Sequence, residues 1–337
     1  MPIFDCRGHP LHYLARGSGE AVLMIHGLGS SGADWAFQVP ALEPHFHVIA
    51  PDLPDCGHSP RLEAGCSVRV WAESLWALLD GLGSVRPNIV GFSLGGAVGI
   101  EMALQRPASV PRLALINSLA TYRVDHWTKW CKARIDAGLA RLIGMRRTAE
   151  LIAARLFPDP HQEPMRARAQ AVIGAVPAKT YLEMAAALER WSAIERLDAL
   201  QCRTLLIAAE YDYTPLAEKR SLAARLRTDL IVVRGSRHGT PFDSIRITNA
   251  GLLAFLTDQP LPPRADWVRD DPLHPLPYDP ANSLATEHAA FGMRARTADN
   301  SLDNGCLSNI MALEVSRCPT HRSTTSPRTS PPTASDN

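Results

Sequence analysis

Six short stretches of this chain are apolar at nearly every position, and that continuity restricts the fold more than any other feature. They are Ala21–Ile25, His47–Ala50, Asn88–Gly91, Arg112–Ile116, Thr204–Ala208 and Leu230–Val233. A strand with one face in water alternates apolar and polar residues, whereas a strand covered on both faces does not. Between these runs lie segments with helical spacing. In Val68–Leu82 the residues Trp71, Leu75, Leu78, Leu79 and Leu82 share one face. Phe4 to Ala15, centred on Arg7-Gly8-His9, reads as an opening hairpin. Covered strands alternating with helices predict an α/β protein with a mostly parallel, doubly wound sheet and right-handed crossovers.

One stretch breaks the alternation. Between the strand ending near Asn117 and the one starting near Thr204 there is no strand pattern, and Tyr122–Ile143, Thr148–Leu156 and Tyr181–Arg196 read as helices. Inserted before the penultimate core strand, they predict a helical cap over the carboxyl edge of the sheet, where open α/β sheets bind ligands. The expected division is a core of residues 1–118 and 199–258, a cap of 119–198, and an extension of 259–337. That extension is Pro-rich from Pro260 and Ser/Thr/Pro-rich from Pro319 to Asn337, a composition expected to remain largely disordered.

Composition removes several function classes. A formal net charge of +1 without a block of either sign gives no electrostatic case for nucleic acid or an anionic membrane surface. No apolar run approaches the roughly 18–20 residues of a membrane-spanning helix. The start, Met1 to Cys6, lacks the basic and apolar regions of a signal peptide. Seven scattered cysteines without a Cys-x-x-Cys pair read as reduced thiols, and the expected compartment is the cytoplasm.

The strongest motif is Gly91-Phe92-Ser93-Leu94-Gly95-Gly96. Gly-x-Ser-x-Gly alone arises by chance in about a tenth of chains this long. Here the strand Asn88-Ile89-Val90 leads in and the helical Leu94–Gln105 leads out, stopping before Pro107. A sharp strand-to-helix turn exposes the Ser93 hydroxyl at a helix N-terminus, where developing negative charge is stabilised.

A serine hydroxyl needs a base. In elbow-type serine enzymes the acid and then the histidine follow the serine in chain order. His26, His45, His47 and His58 precede Ser93, His126 and His161 fall in the insertion, and His274 and later ones fall in the extension. His238 directly follows the last predicted strand and is the candidate base. The acid should end the preceding strand. Asp212 in Glu210-Tyr211-Asp212-Tyr213-Thr214-Pro215 is preferred, with Glu210 as its competitor. Asp212 would also suit the start of the helix opening at Thr214-Pro215.

An oxyanion calls for backbone N–H donors. Leu94, directly after the nucleophile, is one candidate. Leu28, in the loop His26-Gly27-Leu28-Gly29-Ser30-Ser31-Gly32, is the other, its glycines allowing close approach of backbone to substrate. That loop lacks the Lys-Ser/Thr ending of a phosphate loop, so nucleotide binding is not expected. His9 and His12 have no third ligand nearby, and neither a metal nor a cofactor is expected.

Together these sites resemble the α/β-hydrolase superfamily, in the capped branch of serine esterases, enol-lactonases and carbon–carbon bond hydrolases. The resemblance runs from roughly Leu11 to Leu256 and takes in His26-Gly27-x-Gly29 with Trp35, the block Asp52 to Ser59, the serine elbow, and the Asp212 and His238 segments. The Asp52 block carries Asp55 where the family has a glycine, a substitution that a left-handed turn tolerates. The resemblance implies an α/β-hydrolase fold and hydrolysis of an ester, thioester or lactone through an acyl-enzyme on Ser93. The expected partner is a small-molecule substrate, with Trp35, Trp127, Trp130 and Tyr181 as candidate contacts and His126 and Trp191 behind them. Carbon–carbon bond hydrolysis and acyl transfer would use the same triad, and a ligand receptor on this scaffold would use none of it. Oligomeric state is left open by the sequence.

Overall fold

The computed structural model describes residues 3–6, 9–61, 65–123, 138 and 140–270. Its strands are β1 (Ile3–Cys6), β2 (His9–Arg16), β3 (Ala21–Ile25), β4 (His47–Pro51), β5 (Asn88–Phe92), β6 (Arg112–Ile116), β7 (Arg203–Ala209) and β8 (Asp229–Val233). They form one sheet in the order β1-β2-β4-β3-β5-β6-β7-β8. β1 and β2 are the antiparallel hairpin, β2 joins β4 antiparallel, and every later pairing is parallel.

The continuous apolar runs have a direct cause. Leu23, Ile25, Ile49, Ile89, Leu113 and Leu115 point to one side, into a core shared with Trp71, Leu75, Val98 and Leu222. Their neighbours Val22, Met24, Val48, Val90, Ala114 and Ile116 point to the other, into a core shared with Trp35, Leu42, Ile247 and Leu252. Successive side chains of a strand alternate faces, so a sheet sandwiched between two helical layers needs apolar residues at both parities. The first layer contains α1 (Val68–Gly81), which begins at Ser67, whose side chain accepts from Val70 N–H at 3.1 Å. Beside it lies α2 (Leu94–Gln105).

The described part of the insertion between β6 and β7 holds α3 (Gly144–Leu156), α4 (Glu163–Ala175) and α5 (Ala178–Glu189), while most of the helix expected over Tyr122–Ile143 lies outside the described residues. The helix expected over Tyr181–Arg196 ends early. Trp191 turns inward and its indole N–H donates to buried Glu101 at 2.9 Å, while the chain runs back beside the start of the insertion. Ala193 N–H donates to Ala120 O at 2.8 Å and Tyr122 N–H to Trp191 O at 3.2 Å, so both ends of the insertion are pinned together. Among the described residues no single helix is long and apolar enough to cross a membrane.

Helix α6 (Leu216–Leu226) links β7 to β8, and after β8 come α7 (Ile245–Leu256) and the segment 259–270. The expected extension therefore starts as packed chain. Arg234 N–H donates to Trp267 O at 3.0 Å and Arg269 N–H to Arg234 O at 2.9 Å, and Leu261 and Trp267 lie against the core. This segment bridges Arg234, the residue that follows β8 at the end of the sheet. Residues 271–337, most of the extension expected to be disordered, lie outside the described residues.

Candidate active site

The turn from β5 into α2 sets the geometry. Ser93 has φ 54° and ψ −116°, a left-handed backbone that a non-glycine residue adopts only under constraint. Two glycines make room for it. A Cβ on Gly91 would stand 2.5 Å from Gly95 O, and one on Gly95 would stand 2.6 Å from His26 O and closer still to Ile25 O. The Ser93 carbonyl accepts from the hydroxyls of Ser118 at 2.8 Å and Tyr122 at 3.3 Å.

Ser93 Oγ lies 2.9 Å from His238 Nε2, and His238 Nδ1 lies 2.8 Å from Asp212 Oδ1. With the proton on Nδ1 donated to Asp212, Nε2 keeps a lone pair facing the serine. Ser93 is buried, as are His238 and the Asp212 carboxyl. The second expectation for Asp212, that it starts the following helix, is not met: α6 is capped by Pro215, and the Asp212 carboxylate instead accepts from Thr214 N–H at 3.2 Å and Thr214 Oγ1 at 2.7 Å, closing the turn ahead of it. Glu210, the competitor, points elsewhere and accepts from Gly235 N–H at 2.9 Å.

Three side chains that the sequence did not single out join this group. Lys219, 1% exposed, projects from α6 and donates to Asp212 Oδ2 and, at 3.4 Å, to Asn117 Oδ1. Burial would push the Asp212 carboxyl up, but His238 and Lys219 together hold it well below the usual carboxylate range. Burial in turn lowers the Lys219 ammonium, against the pull of Asp212. Asn117, at φ 46°, knits the strand ends: its amide donates to His238 O at 2.8 Å and Thr240 Oγ1 at 2.7 Å, and its oxygen accepts from Ala209 N–H at 2.8 Å. Tyr213 stacks on the imidazole, ring centres 4.2 Å apart, and places its hydroxyl 2.9 Å from His238 Nε2. Burial of that hydroxyl, with Asp212 close by, pushes the phenol well above its usual range.

The loop after β3 lies against Ser93. A Cβ on Gly27 would be 3.6 Å from Ser93 Cβ, and Gly27 and Leu28 line the same cavity as Ser93. Leu94 opens α2 next to the serine. His26 fastens the loop from below. Its Nδ1–H donates to Gly27 O at 2.8 Å, and its Nε2 accepts from Leu53 N–H at 3.0 Å. Burial lowers its pKa and so keeps the ring neutral, as that accepting nitrogen requires. Asp52 ties the same region together, accepting from Gly32 N–H and His58 N–H at 2.8 Å each. Asp55 sits at φ 69°, the left-handed turn that glycine would otherwise supply.

Above Ser93 is a cavity of about 120 Å³ between the sheet edge and the insertion. Phe92, Phe157, Phe242, Met165 and Ile173 make much of its wall. Ser30, Asp34 and Arg168 add a polar side, with Asp34 and Arg168 paired at 3.4 Å. Tyr181 lines it too, its ring close enough to Gly29 that a Cβ there would stand 3.1 Å from it. Trp35, expected at the substrate, is instead 1% exposed in the core beneath the sheet, because its short helix turns the indole toward Val22 and Met24. Trp191 packs at the base of the insertion. His126, Trp127 and Trp130 lie outside the described residues.

Comparison with known proteins agrees with this architecture. Residues 20–212 match the family described as alpha/beta hydrolase fold, a stretch that ends at Asp212 and leaves His238 beyond it. A putative carbamate hydrolase RutD of Variovorax paradoxus (strain S110) is 43% identical over 113 residues, 32% of this chain and 42% of that protein, so the chain matches less than half of that relative's length. A putative carbamate hydrolase RutD of Caulobacter sp. (strain K31) is 30% identical over 261 residues, 74% of this chain and 96% of that protein. The enol-lactonase from Burkholderia xenovorans LB400 superposes with a TM-score of 0.67 at 24% identity, covering 76% of this chain and all (100%) of that one, a likeness of fold.

Proposed function

The chain belongs to the alpha/beta hydrolase fold family, and from that premise we propose that it is a serine hydrolase acting on an ester, thioester or lactone of a small to medium organic molecule. The observation that carries this reading is the unbroken chain Ser93 Oγ, His238 Nε2, His238 Nδ1, Asp212 Oδ1, with links of 2.9 and 2.8 Å. Ser93 attacks the carbonyl carbon while His238 takes its proton at Nε2. Asp212 holds the tautomer and offsets the charge of the imidazolium. Leu28 and Leu94 N–H groups receive the oxyanion. The leaving group departs with the proton from Nε2, and water, activated by the same nitrogen, releases the acyl group from Ser93.

The cavity supports a compact acyl group. At about 120 Å³ it is near the roughly 150 Å³ that admits benzene in an apolar protein interior. Substrate contacts are assigned to Tyr181 and the phenylalanine walls, with residues 119–198 as the cap and 1–118 and 199–258 as the core. The names of the relatives add carbamates to the substrates worth screening.

Labelling with an alkyl fluorophosphonate and peptide mapping of the adduct is the test. Wild type should carry one adduct on Ser93, and Ser93→Ala and His238→Ala should carry none. Turnover of short-chain esters should fall by several orders of magnitude in both variants. A folded wild type that takes no label would sink the hydrolase reading and leave a ligand-binding scaffold.

A further inference from the structure

The triad leaves one polar group at the reacting atoms without a role. The Tyr213 hydroxyl stands 2.9 Å from His238 Nε2, the same distance as Ser93 Oγ, and is within reach of the Ser93 side chain. With Nδ1 protonated toward Asp212, Nε2 has a single lone pair and cannot accept from two hydroxyls at once. The arrangement that satisfies all three groups is a relay in which the phenol donates to Ser93 Oγ and Ser93 donates to Nε2. The oxygen of a leaving group must also lie beside both Nε2 and the serine oxygen, since Nε2 delivers to it the proton taken from the serine. Tyr213 therefore fills the leaving-group position of the resting site. The residue as a whole is 56% exposed, on the loop between β7 and α6, while its hydroxyl end reaches inward to buried His238. A side chain held in this way can yield its place to substrate without disturbing the core.

We propose that Tyr213 is a further catalytic residue, whose phenol moves from the Ser93–His238 pair onto the leaving oxygen and donates a hydrogen bond to it as the acyl–oxygen bond breaks. This role rests on the hydrolase reading above. In the step, the electron pair of the breaking carbon–oxygen bond passes to the leaving oxygen, and the proton on Nε2 passes to the same atom. The phenol keeps its own proton throughout. A phenol whose hydroxyl is turned in against His238 and faces Asp212 has reason to stay protonated across the neutral range, and so to act as donor only. The alternative for such a side chain is a plug that merely delays substrate entry. The two differ in chemistry: a donor to the leaving oxygen matters most when that oxygen carries most charge, while a plug is indifferent to it.

The test compares Tyr213→Phe with wild type on esters sharing one short acyl group, with leaving alcohols from p-nitrophenol to an unactivated alkyl alcohol. Phenylalanine keeps the ring stacked on His238 and removes only the hydroxyl. The loss in kcat/KM should be about tenfold or more greater for the alkyl ester than for the p-nitrophenyl ester, as expected for a hydrogen bond to a charged oxygen. The dependence on leaving-group acidity should steepen accordingly. A change of equal size across the series, in either direction, overturns the role, as does no change. Fluorophosphonate labelling separates the two levels of the argument. Turnover and labelling with a flat leaving-group response removes Tyr213 alone, whereas a wild type that neither labels nor turns over removes the hydrolase reading and Tyr213 with it. Tyr213→Leu, which also deletes the ring, should reproduce the steeper dependence if Tyr213→Phe proves unstable.

Discussion

The carboxylate of Asp212 has two partners, His238 and Lys219, and both oppose the burial that would otherwise protonate it. In the proposed reaction His238 gains a proton, while Lys219 sits buried against the other carboxylate oxygen. Removing Lys219 takes away one of the two groups that hold the Asp212 carboxyl down, so burial raises it toward the ordinary carboxylate range, and a protonated Asp212 no longer holds the imidazole in place. Tyr213, stacked on the ring, and Glu218, on the same helix as Lys219, face the group as well and are unchanged by the substitution. The acidic limb of the kcat/KM–pH profile of Lys219→Met should therefore move to higher pH. A limb that stays in place or moves to lower pH would refute this sharing of charge. None of it was legible in the sequence, because a lysine in the first turns of an α-helix ordinarily marks the solvent face. That Ser93, Asp212 and His238 meet was legible, since each follows a strand whose apolar run can be read. Tyr213 stands next to Asp212 in the chain, yet only the turn closed by Thr214 aims its hydroxyl at His238.

At the scale of elements, the same glycine-to-alanine change should have very different costs at two places, and the contrast measures how tightly the elbow is packed. Gly95 lies where α2 crosses the end of β3, and its missing Cβ would run into backbone carbonyls of Ile25 and His26 that cannot step aside. Gly83, at φ 70° in the turn after α1, has nothing within 4 Å of the point a Cβ would occupy, so only the left-handed backbone resists substitution. Gly83→Ala should cost about 1 kcal/mol. Gly95→Ala should cost about 3 kcal/mol or more, with separation of helix and strand at the site. Thermal unfolding of the two variants checks the order, and equal melting shifts would mean that the elbow is looser than its contacts indicate. Strands and core helices were readable because burial on both sides of the sheet left its mark at every position of Ala21–Ile25 or Arg112–Ile116. The insertion was less so. Helix α4 carries Met165, Ala169, Val172 and Ile173 at helical spacing with Pro164 in its first turn, signals that identify it only once its neighbours are known. The cavity draws on Leu28, Phe92, Tyr181 and Phe242, from segments far apart in the chain, so no local pattern outlines it.

For the molecule as a whole, stability against pH should be governed in part by a carboxyl that the proposed reaction does not use. Asp243 lies 2% exposed beneath the His238 loop, where it accepts from Ser236 Oγ and Ser244 Oγ at 2.7 Å each and from Arg237 N–H at 3.3 Å. Burial outweighs these donors and the nearby Arg269, and raises the carboxyl from 3.8 to about 6. A group that binds its proton more tightly when folded contributes stability below its unfolded pKa and loses it as pH rises through the folded one. Asp212 works in the opposite sense: its pKa is lowered by folding, so its contribution is present above the ordinary carboxylate range and is lost in acid. The two windows do not overlap, and their sum favours the folded state most near about pH 4. Between about pH 4 and 7 Asp243 should withdraw roughly 3 kcal/mol, two pKa units at about 1.4 kcal/mol each. Asp243→Asn cannot ionise and is spared that loss, although its amide satisfies one fewer of the three donors. The melting temperature of the variant should therefore start below wild type near pH 4 and gain on it by several degrees as pH rises to 7. Parallel curves for the two proteins would show that Asp243 titrates no differently folded and unfolded, and that the serine donors around it fully offset its burial.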